Sequence, residues 1–334
     1  MTLLERLLKY LITILSAVLV AADGGIFYYS EGMGPVGTDS IYSYNTVNSN
    51  IARPYMWEEV IVKLKNNYTT TILNHHSVLK QIVPKPSVLN TTFFVPQPVY
   101  VSLTTMASRL QNVSKTISKL VQAKVVPTKI YLFVSREPYL LDKGVKAIPD
   151  VLLALATAGY VTIVFTQNRG PHRKLLPALK RYWEDDCFIV TVDDDMERDK
   201  GHHILFQLLK HYVTASRKEV VVALRARRLG LCSSAPYQTM SYRYWIVTTA
   251  YNHHEVLLMP TGTGGILYKP QYFHEVIFSE RLREITGTAD DLMFRLATLA
   301  KGVPVQLGCS TMIHRGRTIR SCHASRNEID DRYE

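Results

Sequence analysis

Two groups of carboxylates carry most of the chemistry this sequence could do. In "FIVTVDDDMERD", residues 188–199, the aspartates Asp193, Asp194 and Asp195 follow a run of strand-forming residues. Side-chain alternation at a strand end would send Asp193 and Asp195 one way and Asp194 the other. Two acids on one side could share a hard divalent cation through oxygen ligands, which would turn an acidic tip into a cationic surface for a diphosphate. In the other reading the acids cap the helical pattern that follows, "MERDKGHHILFQLLKHY", and are simply solvated.

The second group is Asp290 with Asp291 in "TGTADDLMFRLATLAKG". The segment reads as a helix, with Leu292, Leu296 and Leu299 on one face, Met293 beside them and Gly302 closing it. One of the two carboxylates, oriented by that rigid element, could act as a general base toward a hydroxyl. Thr288 followed by Asp291 is equally a capping-box pattern. Between the two acidic sites lies "PTGTGGILYKP", residues 260–270. Gly262, Gly264 and Gly265 ahead of a strand-like "ILY" suit either backbone that approaches a ligand or an ordinary loop.

The elements that must position these groups alternate. Short runs rich in β-branched and aromatic residues occupy 99–103, 129–135, 161–166 and 187–192, with helical patterns between them. That alternation predicts an α/β fold with a parallel sheet covered on both faces. Ligands of such open sheets bind beyond the carboxyl ends of the strands, where the three aspartates fall. The strand-like "VVVAL" is followed by Arg225, Arg227 and Arg228, which either neutralise a leaving diphosphate or form an exposed basic turn.

The 334 residues are 47% hydrophobic and 20% charged, enough apolar material for one large domain or two small ones. Net charge is +11, from 39 Lys and Arg against 28 acidic residues, which suits an anionic partner. The sequence shows no zinc-type cysteine spacing, no solenoid-length repeat and no low-complexity tract. At the amino end, Arg6 and Lys9 precede an apolar run over residues 10–22. Its length fits a cleaved signal peptide or a short signal-anchor helix, and either would place the rest in the lumen of the secretory pathway. Residues 23–96, rich in Tyr, Asn, Ser and Thr, read as a stem, ahead of a folded domain at 97–318 and a polar tail at 319–334. Sequons at Asn67, Asn90 and Asn112 fit a luminal address. Cys187, Cys232, Cys309 and Cys322 would meet an oxidising compartment, with Cys187 expected as a buried free thiol.

The five blocks "SLTTMASR" (102–109), "RKLLPAL" (173–179), "TVDDD" (191–195), "PTGTGGILYKP" (260–270) and "ADDLMF" (289–294) together resemble a glycosyltransferase of the GT-A fold. The resemblance is to a family-2-like group whose members carry "SLTT…R", "KKLIPAL", "TVDDD", "PTGxGGxLYPP" and "ADDIWF" in that order, and it runs over roughly residues 98–310. It implies a nucleotide-diphospho-sugar donor held with Mn²⁺ or Mg²⁺ at the DxD motif. Asp193 would lie nearer the ribose, Asp195 would hold the metal, and His314 would complete the metal site. Thr104, Arg109, Lys174 and Asp194 would contact the nucleotide, and Gly262, Gly264 and Gly265 would shape the pocket. Asp291 would be the base of an inverting transfer of a hexose-type sugar, with Asp290 as alternate or acceptor ligand.

The partners implied are a nucleotide-sugar donor and a glycan, glycoprotein or glycolipid acceptor, with membrane contact through an uncleaved amino-terminal segment. No nucleic acid is expected, and the location implied is the Golgi membrane, type II, or secretion after cleavage. Two positions depart from the family pattern. An acid usual after the third strand is absent from "FTQNRGPHRK", leaving Gln167 or Asn168 as substitutes, and the family's aromatic in "DDIWF" is Met293 here. Two rivals stand beside this expectation: a nucleotidyltransferase on a related fold, and a non-catalytic luminal nucleotide- or sugar-binding protein.

Overall fold

The computed structural model describes residues 95–122, 125–196, 204–231, 239–248, 254–308, 311–314 and 317–320. The signal or anchor segment, nearly all of the stem, the carboxyl-terminal tail and Cys232, Cys309 and Cys322 lie outside them. Among the described residues, no helix is long and apolar enough to cross a membrane. Of the three sequons, Asn112 is described, exposed on a helix.

The chain alternates strand and helix as its periodicity predicts. Strands β1 (Val99–Thr104), β2 (Lys129–Val134), β3 (Thr162–Phe165) and β4 (Phe188–Thr191) fall inside the four expected runs but for the last residue of β1. Between and after them come α1 (Leu110–Val121), α2 (Asp150–Thr157), α3 (Leu176–Arg181) and α4 (Ile204–Val213). The second half adds β5 (Val221–Ala223), β6 (Ala226–Arg228), β7 (Ile246–Thr248), β8 (His254–Glu255), β9 (Leu258–Pro260) and β10 (Ile266–Tyr268). Helices α5 (Glu280–Thr286) and α6 (Asp290–Ala300) and strands β11 (Val305–Leu307), β12 (Thr311–His314) and β13 (Arg317–Arg320) follow.

Eight strands form one sheet in the order β3-β2-β1-β4-β10-β5-β11-β8. Strands β1 to β4 pair in parallel, as do β5 and β11, while β10 runs antiparallel to both β4 and β5. The sheet is therefore mostly parallel and flanked by helices. Side-chain alternation builds the two faces. In β2, Ile130, Leu132 and Val134 join the layer under α1, α2 and α4, and Tyr131 and Phe133 join the layer under α3 and α6. Helix α1 turns Leu110, Val113, Ile117 and Leu120 inward at helical spacing. Cys187 is buried in the second layer as a free thiol.

Two features of this topology place a site. Strand β1 leads to β2 on one side and has β4 on the other, so the strand order reverses between β1 and β4 and leaves a crevice beyond their carboxyl ends. Because β10 is antiparallel, with Ile266 opposite Thr191 and Ala223, the residues just before it arrive at that same edge. The glycine block thus meets the aspartates for a topological reason.

The crevice floor is braced by a buried ion pair, Arg173 Nη2 to Asp142 Oδ2 at 2.9 Å. Asp142 also accepts from the Ala107 and Gly144 backbone N–H groups and from Asn168 Nδ2. Burial opposes its charge, but these donors hold its carboxyl below the usual carboxylate range. The same network fixes the turn in which Leu140 takes φ 52°, a left-handed conformation that costs a leucine about 1–2 kcal/mol. Asp142→Ala would leave Arg173 charged, buried and unpaired. We expect a loss of about 3–5 kcal/mol in urea unfolding, with Asp142→Leu/Arg173→Met recovering a large part of it.

Candidate active site

The centre of the site is an ammonium group. Residues Gly170–Lys174 form a 3₁₀ turn opened by Pro171, and the Lys174 carbonyl accepts a 2.5 Å hydrogen bond from Ser102 Oγ on β1. This ties the turn to the sheet and directs the lysine into the crevice. Lys174 Nζ lies 3.0 Å from Asp193 Oδ1, 2.8 Å from Asp290 Oδ2 and 3.6 Å from Asp291 Oδ1, with its side chain only 8% exposed. Burial works against its charge. The three carboxylates outweigh burial and hold the ammonium well above its ordinary range. The two acidic motifs, distant in sequence, therefore meet on one cation.

Asp290 and Asp291 occupy the first turn of α6, where the helix dipole favours negative charge. The capping-box alternative is not realised. The N-cap residue is Ala289, it makes no side-chain capping bond, and Asp291 Oδ2 accepts instead from the Gly262 N–H at 2.9 Å. Asp291 Oδ1 is buried without a hydrogen-bond partner. Burial raises the Asp291 carboxyl to about 6, with Asp290 adding to the rise and Lys174 and the Gly262 N–H opposing it. A carboxylate so placed has one oxygen pinned by the Gly262 N–H and the other buried 3.6 Å from the Lys174 ammonium.

Gly262 is required by space rather than by torsion. A Cβ there would stand 2.6 Å from Asp193 Oδ1 and 2.7 Å from Lys174 Nζ, so a side chain would displace the central ion pair. Gly265 is required by torsion, at φ 80° where the turn enters β10. Gly264 packs closely on the backbone of Leu224 and Arg225.

The aspartate triplet departs from simple alternation. Strand β4 ends at Thr191, and Asp194 and Asp195 lie in a turn. Arg109 Nη2 bridges them, 2.6 Å from Asp194 Oδ1 and 2.9 Å from Asp195 Oδ2, while Asp193 goes to Lys174. Asp194 is buried; Thr105 Oγ1 donates to its carboxylate at 2.5 Å, and Thr116 Oγ1 on α1 donates to its carbonyl at 2.9 Å. Burial raises its carboxyl despite Thr105 and Arg109. Asp195 remains 66% exposed at the crevice. The chain's own Lys174 and Arg109 thus neutralise much of the charge at this strand tip.

Among the described residues, no three His, Cys, Asp or Glu side chains converge as a metal set. Asp195 and Asp193 carry hard carboxylate oxygens of the kind Mn²⁺ or Mg²⁺ takes, each turned toward a different cation of the chain, Asp193 to Lys174 and Asp195 to Arg109. His314 falls on β12, whose side chains lie outside those described.

Other expected contacts are engaged elsewhere. Thr104 Oγ1 donates to the Phe133 carbonyl, and Asn168 Nδ2 donates to the Glu137 carbonyl and to Asp142. Gln167 is exposed and accepts from Arg169. Arg225 donates to Thr263 Oγ1 beside the glycine block, whereas Arg227 donates to the Trp245 carbonyl. Met293 is a core residue at 1% exposure and presents nothing to a ligand. Sequence reasoning missed Ser102, Thr105 and Thr116, and the brace of Arg173 on Asp142. Ser102 and Thr105 sit inside the "SLTT" block and Arg173 beside Lys174, so adjacency was their signal; Thr116 and Asp142 had none.

Two outcomes test this geometry. Gly262→Ala should retain the fold while weakening whatever binds at Lys174 and Asp193, read by ligand titration together with circular dichroism. Asp291 holds its proton to higher pH when folded than a carboxyl near its ordinary 3.8, so ionising it works against the fold as pH rises from about 4 through about 6. Asp291→Asn should therefore exceed the parent in stability by on the order of 1 kcal/mol at neutral pH, with the two converging by about pH 4.

No family model matches the chain, and no curated protein matches it. Solved structures do. One is a crystal structure of 4-diphosphocytidyl-2C-methyl-D-erythritol synthase, with 13% identity, a TM-score of 0.36 and coverage of 64% of this chain and 90% of that one.

Proposed function

We propose that the chain is a glycosyltransferase that moves a sugar from a nucleotide-sugar donor to a hydroxyl acceptor with inversion. The observation that carries this reading is the meeting of Asp193 with Asp290 and Asp291 on Lys174, at the crevice where an α/β sheet of this topology takes its ligand. The donor's diphosphate lies between β1 and β4, beside Lys174 and Arg109, with Gly264 and Gly265 shaping the wall. Asp195, with Asp193, would hold Mn²⁺ or Mg²⁺, which would supply charge neutralisation for the diphosphate. Lys174 adds a fixed positive charge in a dry site, where it needs no reorganisation during reaction.

Asp291 is the base. The Gly262 N–H fixes one of its oxygens and leaves the other to accept the proton of the acceptor hydroxyl. Its raised carboxyl suits that task near neutral pH, and Asp290 orients it through the shared lysine. The reaction belongs to the lumen of the secretory pathway, at the Golgi membrane or outside the cell, a part of the reading that rests on the apolar residues 10–22 and the sequons.

The test offers the full chain a panel of nucleotide sugars with Mn²⁺ and measures nucleoside diphosphate release. One donor should be consumed, and Asp195→Ala should abolish the metal dependence. Asp291→Asn should lower transfer by about 10²–10⁴-fold. Parent activity should fall as pH drops through about 6, when Asp291 takes up its proton. Pyrophosphate release from a nucleoside triphosphate and a sugar phosphate would mark nucleotidyl transfer instead. Nucleotide binding with no turnover of any donor and acceptor would return the site to a binding role.

A further inference from the structure

Arg225 stands outside the charge balance that organises the crevice. Lys174, Arg109 and Arg173 are each held by carboxylates of the chain itself. Arg225 has a hydroxyl instead: its Nη1 donates to Thr263 Oγ1 at 3.2 Å, and among the described residues it forms no ion pair. Thr263 is exposed and accepts in that bond, which leaves its own O–H to donate. A guanidinium fork beside a hydroxyl offers donors only, a set that suits an anion and matches the two oxygens of a carboxylate.

The backbone fixes where this cation stands. Strand β10 is antiparallel to both β4 and β5, so those two strands end at the same edge, and Ile266 lies opposite Thr191 on one side and Ala223 on the other. Asp193 and Arg225 are each two residues beyond that row, with two strand spacings between them, on the order of 10 Å. The turn Gly262–Gly264 bridges the gap. A Cβ on Gly262 would meet the Asp193 carboxylate, and one on Gly264 would stand 3.0 Å from the Arg225 backbone N and 3.1 Å from its Cβ. The Thr261 N–H donates to the Arg225 carbonyl at 3.0 Å, which ties the half-buried arginine to the same block. Glu255 belongs to another part of the sheet: on β8 it is opposite Val305, in the row of Val221, four residues before Arg225.

Transfer would lay the donor across this gap. With the diphosphate beside Lys174 and Asp193, and the base Asp291 held by the Gly262 N–H, the sugar carbon under attack lies along the glycine block. The far side of the sugar then faces Arg225, while the phosphates stay on the β4 side.

We infer that Arg225, with Thr263, is a specificity-determining residue that pairs with a carboxylate on the transferred sugar, so that the donor class is a nucleoside-diphosphate-linked hexuronic acid. The inference rests on the glycosyltransferase reading, whose donor it names. Its binding can be measured without turnover.

The experiment is calorimetry on full-chain protein with Mn²⁺. The ligands are UDP-glucuronate paired with UDP-glucose, GDP-mannuronate paired with GDP-mannose, and UDP and GDP alone. In one pair the hexuronate should bind about tenfold tighter or more, as hydrogen bonds to a charged group allow. Arg225→Ala should erase that preference and leave the nucleoside diphosphate bound as in the parent. Should Arg225→Ala lose its native circular dichroism, Arg225→Lys carries the test, since it keeps the stem and the charge but not the fork, and its preference should fall. Equal binding of hexose and hexuronate by the parent would overturn the inference, as would a preference that survives in folded Arg225→Ala. A loss shared equally by the nucleoside diphosphate in a folded variant would assign Arg225 to the phosphates and also overturn it. In each of those outcomes the donor site itself stands. Failure to bind any nucleoside diphosphate or nucleotide sugar would reject the donor-site reading, and the inference with it.

Discussion

The structure around the crevice depends on one buried charge. An ammonium taken out of water is costly, and Lys174 is tolerated at its depth because Asp193, Asp290 and Asp291 surround it. The reverse also holds: adjacent carboxylates at a strand tip and a helix start repel, and the lysine draws them together. Four segments are cross-tied by this exchange, namely the end of β4, the 170–174 turn, the glycine block and the first turn of α6. Arg109 does a lesser, more exposed version of the same task for Asp194 and Asp195. The concentration of acid in an otherwise basic chain is thus balanced locally, before any ligand is considered.

Imperfect balance is what gives the site chemical character. Three carboxylates share one buried cation, and the deficit appears in Asp291, whose carboxyl is raised and whose Oδ1 finds no hydrogen bond. A better satisfied cluster would be more stable and less reactive. Gly262 keeps the cluster tight by contributing only its N–H and no bulk. The same chain segment then continues back into β9, so the tightness of the ion cluster and the placement of the small sheet are mechanically linked.

Much of the framework was legible because it is periodic. Strands β1 to β4, the "ILY" of β10 and helix α6 announce themselves through β-branched runs and leucine spacing, and the sheet's mostly parallel character follows from their alternation with helices. The direction and position of β10 were not legible, since a three-residue strand carries no sign of its partners. Asp291 could be read equally as a cap or as chemistry; the partner it chose, a glycine N–H from another segment, sets the capping box aside. The turn after Thr191 broke the alternation expected of the triplet, and Thr105 joined it through Asp194, because local extension cannot be inferred past a strand's last hydrogen bond. Arg227 could be read as a diphosphate ligand or as part of an exposed basic turn; it braces Tyr242 and Trp245, which are nearby only once the sheet exists.

The late strand β10 also imposes an order of assembly. Strands β1 to β4 pair with one another and need nothing that follows them, whereas β4 and β5 have no direct pairing and are joined only through β10. The pairing of β10 with β4 must therefore close the chain between Thr191 and Ile266, which is a slow event in folding. During synthesis the first four strands can emerge and settle as a sheet with an exposed edge at β4, and that edge stays open until residues 266–268 arrive. Asp290 and Asp291 reach the lysine later still, with α6. The complete ion cluster is consequently a property of the completed polypeptide, and the unfinished sheet edge is where the nascent protein is most exposed to mispairing.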